Sequence, residues 1–519
     1  MDDIYDLYKP LRNALRKMGI ANSLGALKWY LNYNQIVNPV PKPRDLEVHP
    51  EFWQKHLLHA QPWYIAVLVR ELLIEGDPNG RFDMRQWRYY ASAMNKLRDL
   101  DDGTSKRYIN QSNVYHHVSK VMAHQQFVWQ ENRPNYQTST RYYSIFTHQP
   151  LRDIFEDYFN LNLERYFLIS GLMWGAYINV INVEYPPKVT VKPITNDDYD
   201  KFTKHYARPL SELQNQLKAD AARRMDDGFL YYFDSLKRYP LIFTDIYGRD
   251  GHVCPIPTYL YWRTTDGIYY DLIEYLRNDK TKLAAFGEAL GDGYSIYIGK
   301  VLNDQPYNRS VDIVDADANI PFGDPKPDWF IVDAGAIAPI ECKTKRLRLD
   351  AKTDTTYTPA TEDELKKLAK CVLQVYKALK FAQDQRLSFL GAPTKYFPIV
   401  ATMENWYIFG DMKDKLDKFV AQLAPGEGVD LSLISKHPYA VIYSSELEDL
   451  AAVLRENTLE SIMEPYCTDP QFSGWSLNTY LWNKFPLIKA GYHLFQTNPL
   501  DTALSALTGK PISKGSVKR

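Results

Sequence analysis

The chain has 519 residues, 45% of them hydrophobic and 24% charged, with a formal net charge of -1. That balance belongs to a folded globular chain and excludes a disordered one, and the length suits about three structural units at roughly 150 residues each. The near-zero charge excludes a globally basic surface, so a polyanionic partner would have to be met by local patches.

The first residues, MDDIYDLYKPLRNALRK, place acids before any apolar run, and no signal peptide is expected. Residues 1–250 read as a mainly helical N-terminal domain of unassigned role, with apolar residues recurring every three or four positions across 62–74 and 150–169. Turn chemistry separates these segments at 76–80, 99–103 and 185–187. Many of the 39 tyrosines fall here, and packing a helical core with hydroxyls at its rim is preferred over stacking on bases. The uncharged run Tyr166–Val183 approaches the length of a membrane span, but Ser170, Asn179 and Asn182 interrupt it, so it reads as a buried helix with no membrane association. His116, His117 and His124 lack partners at a metal-ligand spacing, and Gly76–Gly80 lacks the acids of a calcium loop.

The pattern changes over residues 251–456. A helix is predicted across 279–302, two short strands within 328–344, and a long helix from about 360 to 385. Strands follow at 396–403, 405–410 and 438–444, then a helix at 446–456. This order suits an α/β arrangement. Residues 457–519 read as a helical or irregular extension ending in the basic tail KGSVKR. There, Thr508-Gly509-Lys510 resembles the end of a phosphate loop, but Leu504 replaces its first glycine, so no nucleotide motor is encoded. The four cysteines (Cys254, Cys342, Cys371, Cys467) form no CxxC pair, which suits a reducing cytoplasm.

The chemistry concentrates in residues 327–347, PDWFIVDAGAIAPIECKTKRL. With Ala334-Gly335 as a two-residue hairpin loop, Asp333 pairs with Ala336 and Asp328 falls opposite Glu341. Opposed side chains share a face, and Lys343, two residues beyond Glu341, points to it as well. Pro339 lies within the second strand and cannot donate to a ladder. Two adjacent carboxylates are costly without a cation, and Mg²⁺ relieves that cost while activating water and neutralising phosphate charge. A neighbouring lysine orients water or stabilises the charged transition state. The run Lys343, Lys345, Arg346, Arg348 and Lys352 offers phosphate contacts beside this group.

Pro327-Asp328 followed by Glu341-Cys342-Lys343 resembles the PD-(D/E)xK nuclease superfamily, whose members include restriction, repair and phage-defence nucleases. The resemblance covers roughly residues 255–455 and implies a restriction-endonuclease-like core, a mixed sheet flanked by helices. It implies Asp328 and Glu341 as metal ligands, Lys343 as the catalytic lysine, and Mg²⁺ (with Mn²⁺ able to substitute) as cofactor. Some members add an acid from the preceding helix, for which Glu288 and Asp292 are candidates, although Tyr294-Ser295 stands where such a glutamate is expected. Others add a glutamine from the following helix, for which Gln374 is the candidate; Ala378 stands at the tyrosine position of the tighter motif. The implied function is phosphodiester hydrolysis, of DNA rather than RNA, in anti-phage defence, with a homo-oligomer or a defence-system subunit as partner. The alternative is a catalytically silent scaffold of the same fold that binds nucleic acid or protein.

Overall fold

The computed structural model describes residues 4–511 except 36–41, 44, 51–60, 110–113, 115–116, 118–120, 122–123, 126–127, 132, 188–190, 224–228, 349–358, 386, 392, 409, 473, 487 and 489–491. His116, Lys352 and the KGSVKR tail therefore lie outside the described residues. The chain is α/β, with two mixed sheets and a helix-rich N-terminal region. It divides into two compact units: Met1–Tyr142 with Asp153–Asn278 and Ala503–Arg519, and Tyr143–Arg152 with Asp279–Thr502. The units thus part at Asn278, where the sequence suggested 250, and residues 457–502 belong to the second unit.

In the first unit the helix Pro62–Glu75 buries eleven of its fourteen residues, more than the single apolar face that three- and four-residue spacing predicts. Its one cation, Arg70, is 1% exposed. Arg70 donates to Glu71 at 2.7 Å and to the Phe229 carbonyl at 3.0 Å, and its guanidinium lies 4.3 Å from the Tyr232 ring centroid. The helix Leu163–Asn179 covers most of the uncharged run. Among the described residues, no helix is long and apolar enough to cross a membrane.

A four-stranded sheet also belongs to this unit: β1 (Asn182–Glu184), β2 (Ala207–Pro209), β3 (Leu241–Thr244) and β4 (Gly251–Val253), in the order β1-β4-β3-β2. Sequence periodicity missed it, because strands of three or four residues are too short to display alternation. His252 in β4 is 4% exposed, its Nδ1 sits 3.0 Å from the Tyr199 hydroxyl, and burial holds its pKa down at about 4. The unfolded chain therefore binds the proton more tightly, so this contribution to stability is present above the ordinary histidine pKa and is lost as pH falls towards 4. Urea midpoints measured from pH 7 to 4 should fall for the wild type and fall less steeply for His252→Gln; parallel curves would refute the assignment.

The second unit is built on a mixed sheet in the order β10-β9-β7-β6-β5, with β8 also paired to β7. Its strands are β5 (Asp312–Asp315), β6 (Trp329–Asp333), β7 (Ala336–Lys343), β8 (Lys395–Tyr396), β9 (Ile399–Thr402) and β10 (Ala440–Tyr443). β5, β6 and β7 form an antiparallel meander, while β9 lies parallel to β7 and β10 parallel to β9. The helix α1 (Lys280–Asn303) precedes the meander, and α2 (Pro359–Gln385) lies between β7 and β8. Later come α3 (Asp411–Leu423), α4 (Ser444–Val453) and α5 (Leu459–Thr468). Ile337 and Phe330 pack with Ala382 of α2.

α1 lies against the indole of Trp329, which donates to the Ser295 carbonyl at 3.0 Å. A Cβ built on Gly299 would come within 2.0 Å of the Trp329 ring, so glycine is required by close approach. Gly299→Ala should cost roughly 1–3 kcal/mol through overpacking. It should also shift the unfolding midpoint and the tryptophan emission; an unchanged midpoint would show that the helix moves freely away.

Two expectations are corrected here. Of the predicted strand 405–410, the described residues 405–408 form none: Asn405 Oδ1 accepts from the Tyr407 amide at 2.7 Å and Tyr407 has φ +50°, so side-chain turn chemistry replaces a ladder. The predicted strand 396–403 is split into β8 and β9 at Phe397-Pro398. The pairings of β7 with β8 and with β9 keep one register, which sets Pro398 opposite Pro339. Pro339, which has no amide hydrogen, therefore sits where the neighbouring strand is interrupted, and its effect on the ladder is small.

Candidate active site

The β6–β7 hairpin has the register that its turn dictates. Asp333 pairs with Ala336 and Trp329 with Ile340 across a two-residue loop. Ala334 and Gly335 have φ +49° and +85°, the left-handed pair of a turn whose twist matches its strands. Asp328 immediately precedes β6: its amide donates to the Ile340 carbonyl at 2.9 Å, and its Oδ2 accepts from the Cys342 amide at 2.7 Å. The ladder ends at Trp329–Ile340, and these two bonds, one step off its register, hold Asp328 against β7 within the electrostatic reach of Glu341 at the open end of the hairpin.

At that end Lys343 Nζ donates to Glu341 Oε1 at 2.5 Å. Glu341 is 4% exposed, while Asp328 and Lys343 are half-buried. Burial pushes the Glu341 carboxyl up to about 7; Lys343 opposes this shift and Asp328 adds to it. Burial also raises Asp328, against the Cys342 amide, the charge of Lys343 and the Ser295 hydroxyl. For Lys343, burial favours the neutral amine, but the charge and hydrogen bond of Glu341 outweigh it and the net shift is upward. The three groups therefore share one electrostatic environment.

The other sequence-predicted residues are placed differently. Glu288 and Asp292 lie on the exposed side of α1, and it is Ser295 that reaches Asp328. Gln374 is exposed on α2, one turn beyond the half-buried Cys371, whose thiol lies within the electrostatic reach of Lys343 and Glu341. The basic run is not uniformly presented: Lys345 and Arg348 are exposed, but Arg346 is 7% exposed and offers no open phosphate contact. Sequence reasoning overlooked Ser295 as a support of Asp328. Its signal was the small pair Ser295 and Gly299, four residues apart on one helical face, which marks a close approach.

Oxygen donors with raised proton affinity suit a hard divalent cation, and Mg²⁺ takes only one or two protein carboxylates, filling its remaining positions with water and phosphate. Asp328 and Glu341 fit that requirement. Among the described residues, no group of three or more His, Cys, Asp or Glu side chains gathers as a metal site. No family model matches the chain. No curated protein and no solved structure matches it either.

Proposed function

We propose that the second unit is a Mg²⁺-dependent phosphodiesterase acting on nucleic acid, with DNA as its substrate and a PD-(D/E)xK-type core. The observation that carries this reading is the meeting of Asp328, Glu341 and Lys343 at one end of the hairpin, with Lys343 held 2.5 Å from Glu341. The succession of α1, the β5–β6–β7 meander, α2 and a strand parallel to β7 supports it. So does the position of Glu341 and Lys343 at the carboxyl end of β7, which runs parallel to β9, since the carboxyl ends of parallel strands are a recurrent place for ligands in α/β sheets.

Asp328 and Glu341 would hold the cation, which when bound lowers the pKa of water and offsets charge on the scissile phosphate. Lys343, anchored by Glu341, positions the attacking water and stabilises negative charge accumulating on the phosphate oxygens. Ser295 and the Cys342 amide orient Asp328. The anti-phage role and a partner subunit rest on the motif resemblance alone. A second reading, a catalytically silent scaffold, is favoured by Ser295 standing where an additional acid is expected, with Glu288 and Asp292 exposed on α1.

The deciding experiment incubates the full chain with linear, circular and single-stranded DNA and with RNA, in Mg²⁺, Mn²⁺ or chelator, beside calorimetric titration of Mn²⁺. Metal-dependent cutting supports the enzyme. Metal binding at Asp328 and Glu341 without cutting supports the scaffold, and absence of both overturns the metal site.

A further inference from the structure

The loop from β5 to β6, which leads directly into Asp328, carries a side chain that folding alone does not explain. Phe322 is 102% exposed, the most exposed large hydrophobic group among the described residues. Isolated apolar groups on surfaces are ordinary, but a phenylalanine left fully in water forgoes the free energy of burying its ring. Two residues earlier Ile320 is 3% exposed and packs with Phe330, Ile337 and Leu390, so a core lies within reach of this loop.

The loop is also tied down rather than frayed. The Ala316 amide donates to the carbonyl of Asp328 itself at 3.1 Å, and the Ile320 amide to Ala316 at 2.8 Å. Lys326 Nζ donates to the Ile320 carbonyl at 3.2 Å and pairs with Asp317 at 2.7 Å. Pro321 and Pro325 restrict the backbone on either side, and Gly323, with φ +95°, makes the reversal between them. Phe322 is thereby held outward on a short closed loop whose base is hydrogen-bonded to a residue of the candidate site. Chain geometry limits its distance from Asp328 to about 20 Å, at roughly 3.3–3.6 Å per residue. The loop leaves the sheet at the end where β7, β9 and β10 finish, and Lys345 and Arg348 are exposed just beyond β7.

We propose that Phe322 is a stacking platform for an unpaired nucleobase beside the scissile phosphate, and that the preferred substrate is therefore single-stranded nucleic acid, or a duplex with a displaced base, rather than intact duplex. This rests on the nuclease reading. An aromatic face accepts any base, whereas in a paired duplex both faces of each base are already covered. Backbone charge would be met by Lys345 and Arg348, exposed beyond the end of β7, and selectivity for strand type would come from the ring.

The test measures binding of the full chain, in chelator so that no cleavage occurs, to a labelled single-stranded oligonucleotide and to its duplex. The variants are Phe322→Ala, Phe322→Trp and the control Leu431→Ala, an exposed apolar position on a helix before the start of β10. Phe322→Ala should weaken single-strand binding roughly 5- to 150-fold, the value of one stacked base. Its duplex affinity should be unchanged, and Phe322→Trp and Leu431→Ala should bind as wild type. Single-strand binding unchanged in Phe322→Ala, or weakened equally for duplex, overturns the platform while metal-dependent cutting leaves the nuclease reading standing. A wild type that neither binds nor cuts nucleic acid overturns both.

Discussion

Lys343→Ala should reduce metal-dependent cleavage by roughly 10²–10⁴-fold, the usual contribution of a positioned acid–base group. The side chain is 25% exposed and its main partner is Glu341, so its removal takes away a cation beside a buried carboxylate without opening an apolar cavity. Glu341, whose proton affinity is already raised by burial, adjusts by protonating more readily, and the unfolding midpoint should change little near neutral pH. Lys343→Arg keeps the charge but presents a planar fork in place of a compact ammonium, and should restore only part of the rate. Asp328→Asn should lose activity as severely, by a different route: the amide still accepts from the Cys342 amide but no longer supplies charge to a metal. Mn²⁺ titration at mildly alkaline pH, where Glu341 is ionised, separates the two, with affinity lost in Asp328→Asn and largely kept in Lys343→Ala. Cutting that survives in both variants would place the active site elsewhere.

Asp333→Ala should destabilise the second unit by about 3–5 kcal/mol, the cost of breaking a buried ion pair on one side. The Asp333 side chain is fully buried beside Arg309. Its two oxygens accept from Arg309 Nε at 2.8 Å and Nη2 at 2.5 Å, and the second also accepts from the Leu459 amide at 2.6 Å. Arg309 in turn donates to the carbonyls of Leu454 at 2.9 Å and Asn457 at 2.6 Å. One carboxylate thus joins the hairpin turn, the segment before β5 and the junction of α4 with α5. Truncation strands both a guanidinium and an amide. Asp333→Asn should cost less, since an acceptor for the Leu459 amide remains. In a double-mutant cycle, Asp333→Ala with Arg309→Ala should cost less than the sum of the two single changes, because neither ion is then left unpaired. Additive losses in urea unfolding would show that the pair contributes little.

Much of the candidate site was legible in the sequence because its determinants are local. A two-residue loop fixes which residues oppose one another, and the strand period of two fixes which side chains share a face. Asp328, Glu341 and Lys343 could therefore be brought together from spacing alone. The long amphipathic helix Pro359–Gln385 was legible because apolar spacing sustained over many turns identifies a helix.

What only the tertiary structure decided depended on contacts distant in sequence. β1–β4 and β5 are short strands defined by their partners rather than by their own patterning. The burial of Arg346 beside an exposed Lys345 follows from what packs over that segment, since the basic run itself is featureless. Ser295, not Glu288 or Asp292, reaches Asp328 because Gly299 lets α1 approach Trp329 and so sets the helix's rotation. The Arg309–Asp333 clamp joins residues 24 positions apart, and nothing in their neighbours announces the pairing. Local sequence thus determined which groups could share a face. Long-range packing determined their solvation, and with it the proton affinity and partners on which any chemistry at the site depends.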